Sequence, residues 1–299
     1  MFSANLDAQS QTGHTVYDPS KSTTFKAADP TLQNSFAIRF GDGSSASGSK
    51  PNAIGTDIVD IGGAIAKAQT IQLADTVSGS FTRDTASNGL VGLAFSNINT
   101  VKPTAAKTFF DTIADGLDKP ILAADLRPGA PGSYSFGEIN TKAFTGQLTE
   151  IPIDNSKGFW QFQASTFSVG NNGSVQQNTQ NSPAIADTGT TLMLADDSIV
   201  QGYYSQVQGA QFDTQARLFV YPCSSRLPDL SITIGTNYKA VIPGKLLNFQ
   251  ALDTAGRQCA GALQSNNGAK IQIYGDIFFK AQYTVFNIRN NTISLAPHS

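Results

Sequence analysis

Ile185-Ala186-Asp187-Thr188-Gly189-Thr190-Thr191 is the stretch on which the reading of this sequence turns. Two apolar residues run into an aspartate, and a Thr-Gly pair with two further threonines follows. Glycine permits a tight turn and bares backbone N–H groups that can hold an ionised carboxylate. The hydroxyls of Thr188, Thr190 and Thr191 are further donors for that carboxylate. Asp-Thr-Gly alone is an ordinary turn signal. The apolar approach and the threonines behind it make this one a candidate site, with Asp187 as its acid and Thr188, Gly189 and Thr190 orienting it.

Outward from that stretch, most of the sequence reads as short strands separated by Gly, Asn, Asp and Ser turns. Phe36 to Phe40, Thr56 to Ile61, Ala68 to Leu73, Ser133 to Phe136, Gln147 to Ile153, Phe159 to Val169, Ser231 to Ile234, Ile271 to Tyr274 and Tyr283 to Ile288 all fit. Two segments have helical spacing. Thr104 to Leu117 places Phe109, Phe110, Ile113 and Leu117 near one face, and Asp196 to Val207 does so with Ile199, Val200, Tyr203, Tyr204 and Val207. Many strands with two short helices indicate a mainly-β protein. A chain of 299 residues exceeds what one hydrophobic core usually organises, so two lobes are expected. The dividing region, 146 to 169, ends at Gly170-Asn171-Asn172-Gly173, which sets the lobes at 1–150 and 151–299. A weak internal repeat relates Gly89-Leu90-Val91-Gly92-Leu93 to Ile271-Gln272-Ile273-Tyr274-Gly275-Asp276-Ile277: each is an apolar run closed by glycine, just ahead of a segment with helical character.

Composition narrows the functional classes. Apolar residues make up 40% and charged residues only 14%, which argues against disorder and leaves hydroxyl and amide side chains to cover the surface. A net charge of -2 without a basic cluster offers no electrostatic footprint for nucleic acid or an anionic membrane. No apolar run approaches the ~18 residues of a membrane span. The two histidines, His14 and His298, stand at opposite ends and there is no Cys-x-x-Cys pair, so a structural zinc site is not expected. Cys223 and Cys259 read as one disulfide from an oxidising compartment, or as two buried thiols. Sequons at Asn172 and Asn290 fit a secreted protein. Met1 to Asp7 lacks the basic start and apolar core of an export signal, so the signal is expected to lie outside this sequence.

Taken together, these segments are similar to the pepsin-like aspartic endopeptidases, in particular the secreted fungal enzymes of the endothiapepsin and penicillopepsin type. Ile185 to Thr191 resembles the family's second active-site motif, and Tyr17-Asp18-Pro19-Ser20-Lys21-Ser22-Thr23 the stretch after its first active-site loop. Phe40-Gly41-Asp42-Gly43-Ser44-Ser45 resembles the hairpin flap that closes over bound peptide. Asn88 to Phe95 and Ile271 to Asp276 look like the paired segments beside the two active-site loops. Lys107-Thr108-Phe109-Phe110-Asp111 adds a fungal likeness. Cys223 and Cys259 fall where the family has its C-terminal-lobe disulfide.

The resemblance implies a bilobal β fold, peptide or protein substrate in a cleft between the lobes, a monomer, and secretion. It implies two Asp-Thr-Gly loops, because the chemistry needs two carboxyls. One, ionised, takes a proton from a water; the other, protonated, donates to the scissile carbonyl. Two carboxyls about 3 Å apart share one proton and titrate as a pair, which favours activity in acid. In this sequence Asp-Thr-Gly occurs once. The family's first motif runs Asp-Thr-Gly-Ser and then to Trp-Val, and Met1 stands where that valine lies. The first lobe is therefore expected to be incomplete at its N-terminus, with unpaired strand edges and bared apolar surface, and the 299 residues to be inactive alone. The flap departs from pattern too. Phe40 replaces a tyrosine, keeping an apolar wall without a hydroxyl. Phe40, Gly41 and Asp42 are expected at the substrate backbone, and Phe109 and Leu117 in an apolar specificity pocket. The competing expectation is a non-catalytic peptide-binding or surface homologue. Pairing of Asp187 with its copy in a homodimer is disfavoured, since first-lobe residues occupy the face a second copy would need.

Overall fold

Alternation of apolar and polar residues gives residues 1–117 two small antiparallel sheets. In one, β1 (Lys26–Ala27), β4 (Ile54–Ile61) and β5 (Ala64–Gln72) lie in the order β1-β4-β5; in the other, β2 (Phe36–Arg39), β3 (Ser45–Gly48) and β6 (Thr76–Ser78) lie in the order β2-β3-β6. These coordinates are a computed structural model that describes residues 1–299, and the chain divides into two compact units, Met1–Leu117 and Asp118–Ser299. In the first unit Phe2, Leu6, Phe36, Ile54, Ala74 and Val101 form one buried cluster. The N-terminal turn α1 (Ala8–Gln11) is capped by the Asp7 carboxylate, which accepts from Ser10 N at 2.9 Å.

The helix expected over Thr104 to Leu117 is shorter. Only α2 (Phe109–Ile113) is α-helical, followed by a 3₁₀ turn over Ala114–Gly116. The Asn99 side-chain oxygen accepts from Val101 N at 3.0 Å and Ala106 N at 3.1 Å, which ties the preceding residues into a loop. Thr108 then caps the helix by accepting from Asp111 N at 3.3 Å. Phe109, Phe110 and Ile113 are buried, so the helical spacing identified a core face whose flanks were claimed by side-chain hydrogen bonds.

The second unit has four sheets. β8 (Ser133–Phe136), β7 (Ile121–Asp125), β23 (Gln282–Asn287), β24 (Thr292–Pro297) and β9 (Thr149–Pro152) form an antiparallel sheet in that order. Residues 118–150, grouped with the first lobe from sequence, thus pair with the chain's C-terminal strands. β12 (Gln176–Gln177), β11 (Ala164–Val169), β17 (Leu230–Ile234) and β18 (Tyr238–Ile242) make a second sheet; β15 (Gln211–Asp213), β16 (Leu218–Pro222), β20 (Gln258–Gly261) and β19 (Asn248–Ala251) make a third. The fourth runs β10 (Gln161–Phe162), β13 (Ala184–Ala186), β22 (Gln272–Tyr274), β14 (Met193–Ala195) and β21 (Leu263–Ser265), and it carries the candidate site. The helices of this unit are α3 (Asp197–Tyr204) and α4 (Asp276–Phe279). α3 begins after Asp196, whose carboxylate is engaged by Asn178 Nδ2, Ser182 N and Asn266 Nδ2, each at 2.8 Å, and so does not cap the helix. Cys223 and Cys259 form a disulfide joining the end of β16 to β20. The mainly-β architecture is as the strand pattern implies.

Candidate active site

The site is built on the fourth sheet of the second unit, where β22 lies between β13 and β14. β22 runs parallel to β13, with Ala184, Ile185 and Ala186 opposite Gln272, Ile273 and Tyr274, and antiparallel to β14. The chain leaving β13 must therefore pass across the end of β22 to reach β14. Residues 187–192 make that crossing. Three backbone bonds pin it: Ala186 N donates to Trp160 O at 3.1 Å, Asp187 N to Tyr274 O at 3.1 Å, and Asp276 N to Thr190 O at 2.7 Å. A side chain at position 275 would collide with the carbonyl oxygens of Thr190 and Leu192, so the close crossing requires Gly275.

Within the crossing, the backbone aims Asp187 and supplies its partners. Gly189 N donates to Oδ1 at 2.9 Å and Thr190 Oγ1 donates to Oδ2 at 2.7 Å. One donor on each oxygen fixes the plane of the carboxylate. A Cβ at Gly189 would come within 3.1 Å of Oδ1, against the atom the loop is built to present. Asp187 is half-buried, leaving it open to a reactant. Thr188 is also half-buried, and the expected orienting role falls to Gly189 and Thr190.

Behind the loop, Tyr274 is fully buried between Phe162 and Phe278, with ring centroids at 5.6 and 5.4 Å, and this packing seats β22. Gln272, also fully buried, donates to Ser182 O at 2.7 Å and accepts from Asp196 N at 3.2 Å, which links β22 to both ends of the crossing strands. A second carboxyl stands at the start of α4. Burial pushes Asp276 above the ordinary carboxylate range; Lys280, 3.8 Å away, opposes this, and the charge of Asp187 adds to it. Asp276, Gly275, Gln272 and Tyr274 lie in the segment Ile271 to Asp276 that the resemblance sets beside an active-site loop, although none of the four is named individually as a site residue from sequence. Their roles depend on backbone and packing, which side-chain chemistry does not signal.

The flap-like residues lie in the first unit, at the turn of the β2–β3 hairpin. Phe40 N donates to Ser44 O at 2.8 Å and Gly43, at φ 85°, closes the turn. The Asp42 carboxylate accepts from Ser44 Oγ at 2.7 Å, Ser44 N at 2.8 Å and Ser80 Oγ at 2.9 Å, and the Ser44 bonds above all hold it below the usual carboxylate range. Phe40 packs edge-on against Phe81 at 5.2 Å, and Gly41 is exposed. Phe109 is buried on α2 and Leu117 is half-buried at the end of the unit. No three His, Cys, Asp or Glu side chains are grouped so as to hold a metal ion, and no helix is long and apolar enough to cross a membrane.

Comparison with known proteins shows the family. The model of the eukaryotic aspartyl protease family matches residues 1–298. A putative aspergillopepsin A-like aspartic endopeptidase of Aspergillus fumigatus is 46% identical over 99% of this chain and 68% of its own length. Aspergillopepsin-1 of Aspergillus flavus is 45% identical over 100% of this chain and 71% of its own. For penicillopepsin-2 of Penicillium janthinellum the figures are 43%, 100% and 72%.

Proposed function

Given that the chain belongs to the eukaryotic aspartyl protease family, we propose that Asp187 is one of the two carboxyls of an acid endopeptidase. The observation that carries this is the pair of donors, Gly189 N–H and Thr190 O–H, that hold one half-exposed carboxylate on a loop pinned to β22. A carboxylate so fixed can take a proton from water, and a second, protonated carboxyl polarises the scissile carbonyl while that water attacks. No covalent intermediate, metal or organic cofactor enters. The substrate is a peptide or protein, with Phe40, Gly41 and Asp42 at its backbone and Phe109 and Leu117 at an apolar side chain. The setting is extracellular, in keeping with the disulfide.

Asp-Thr-Gly occurs once in residues 1–299, so these residues by themselves lack the partner acid and do not turn over. Incubated with a denatured protein at about pH 3–5, the range in which one carboxyl of a dyad is ionised, they yield no pepstatin-sensitive fragments. Pepstatin-sensitive cleavage by the 299 residues, lost in Asp187→Asn, overturns the claim of inactivity while keeping Asp187 in the site. The same single motif favours a second reading for this stretch, a peptide-binding homologue without catalysis. Saturable binding of a peptide that is never cut, even in a preparation supplied with the partner acid, distinguishes it.

A further inference from the structure

His298 follows β24 in the second unit, and its side chain is only 11% exposed. Nε2 lies 2.9 Å from Phe279 O, while Nδ1 lies 3.4 Å from both Ala143 O and Asp125 Oδ1. Carbonyl and ionised carboxylate oxygens accept protons and have none to give. A neutral imidazole carries one N–H, so it serves one side of this pocket and sets a lone pair against oxygen on the other. The imidazolium carries two and serves both. The geometry fits the charged ring.

The groups around the ring are few. At the end of β7, Asp125 brings a negative charge. Arg127 shares it, with Nε 2.6 Å from Oδ1, and Arg127 Nη2 donates to Ala143 O at 2.8 Å. From β23, Tyr283 packs edge-on against His298 at 6.3 Å. Burial pushes that phenol above its ordinary value, so it stays neutral in acid and near neutrality. Beyond α4, Lys280 is paired with Asp276 at 3.8 Å.

Phe279 ends α4, where backbone carbonyls run out of helical partners, and His298 supplies one. At its other end the helix starts with Asp276, whose N–H donates to Thr190 O at 2.7 Å. Thr190 Oγ1 in turn donates to Asp187 Oδ2 at 2.7 Å. Four residues of helix, with Phe278 and Phe279 each 0% exposed, therefore join His298 to the loop that holds the acid. We infer that His298 is a positioning residue: as an imidazolium it braces α4 between Phe279 O and the oxygens of Asp125 and Ala143, and through Asp276 it steadies the loop that presents Asp187. Histidine changes charge between about pH 5 and 8. The brace is complete in acid and is lost as pH rises through that range. Its bearing on catalysis rests on the reading of Asp187 above; the brace itself rests on the contacts of His298.

The 299-residue protein, labelled with ¹³C and ¹⁵N, is titrated from about pH 5 to 8 and followed by NMR. The amide resonances of Asp276 and Gly189 should move together, with the midpoint shown by the ring Cε1–H of His298. Protection of the Asp276 and Lys280 amides, corrected for intrinsic exchange, should fall by about tenfold or more, the worth of a hydrogen bond to a charged group. His298→Gln, whose amide offers one donor and one acceptor, should make both amide profiles flat. His14→Gln removes the other histidine, in the first unit, and should leave the step in place. Flat profiles in the wild type, or a midpoint other than that of His298, overturn the inference even where the glutamine variant does not fold. So does a step that survives in His298→Gln, because a carboxyl such as Asp276 then carries it. A step that reaches Asp276 but not Gly189 overturns the positioning role. Cleavage that persists in Asp187→Asn, in a preparation supplied with the partner acid, overturns the reading of Asp187 and leaves the brace standing.

Discussion

Asp187 owes its presentation to residues that have no chemistry of their own. Its two oxygens are satisfied by one backbone N–H and one hydroxyl, and the loop that supplies them passes over Gly275 at a distance that no side chain tolerates. Gly275→Ala therefore forces the crossing away from β22 and strains the bonds Asp187 N to Tyr274 O and Asp276 N to Thr190 O. Overpacking of this kind costs about 1–3 kcal/mol. The expected outcome is a lower urea midpoint with faster amide exchange at residues 187–192, measured beside the wild type. An unchanged midpoint and unchanged exchange would refute the assigned role of Gly275. Asp187, Gly189 and Thr190 were legible because Asp-Thr-Gly-Thr names its own donors. Gly275 and Gln272 were not, because their contribution is a contact with a backbone some 80 residues away in sequence, which no local pattern carries.

Among the elements, β4 carries a second carboxylate with a structural task. Asp57 is buried in the strand and accepts from the hydroxyls of Tyr17, Ser22 and Thr24 and from Ile58 N. Burial pushes the carboxyl up, but those bonds, Thr24 and Tyr17 foremost, outweigh it and bring it down to about 2. The sign follows: a carboxyl lower in the folded than in the unfolded state adds stability above the unfolded value near 3.8, lost as pH falls toward 2. Asp57→Asn should thus destabilise the first unit at pH 5 by about 2 kcal/mol, the value of hydrogen bonds to a charged group. The gap to the wild type should narrow as pH approaches 2, where about half of the wild-type carboxyl is itself protonated. Thermal melts of both proteins across pH 2–6 test this; a pH-independent gap would count against the charged hub. The same scale shows why one predicted helix shrank to α2. Asn99, Ser96 and Thr108 bind the backbone of residues 101–111, and helical periodicity does not register that competition.

For the whole molecule, the disulfide is the one covalent long-range tie. It closes a loop of 36 residues between β16 and β20. On chain-entropy grounds its removal costs about 2–4 kcal/mol. The Cys223→Ala, Cys259→Ala double variant should lower the unfolding midpoint of the second unit, with exchange rising first in β16, β19 and β20 while β4 and β5 keep their protection. Loss of protection in both units at once would show that they unfold together. What the sequence by itself determined is the β class, the family, and Gly189 and Thr190 as donors to the Asp187 carboxylate, because strand periodicity and the Asp-Thr-Gly-Thr motif are local and chemical. Cys223 and Cys259 could be read as a bond or as two thiols, and only folding brought their Cα atoms to 5.0 Å. Tertiary structure also decided that β7, β8 and β9 join one sheet with β23 and β24, and which copy of the repeat is enclosed. Tyr274 is buried and Leu90 exposed although both sit in an apolar run before a glycine. Burial depends on which strands lie alongside, and strand pairing is set by contacts far apart in the chain that a local pattern does not encode.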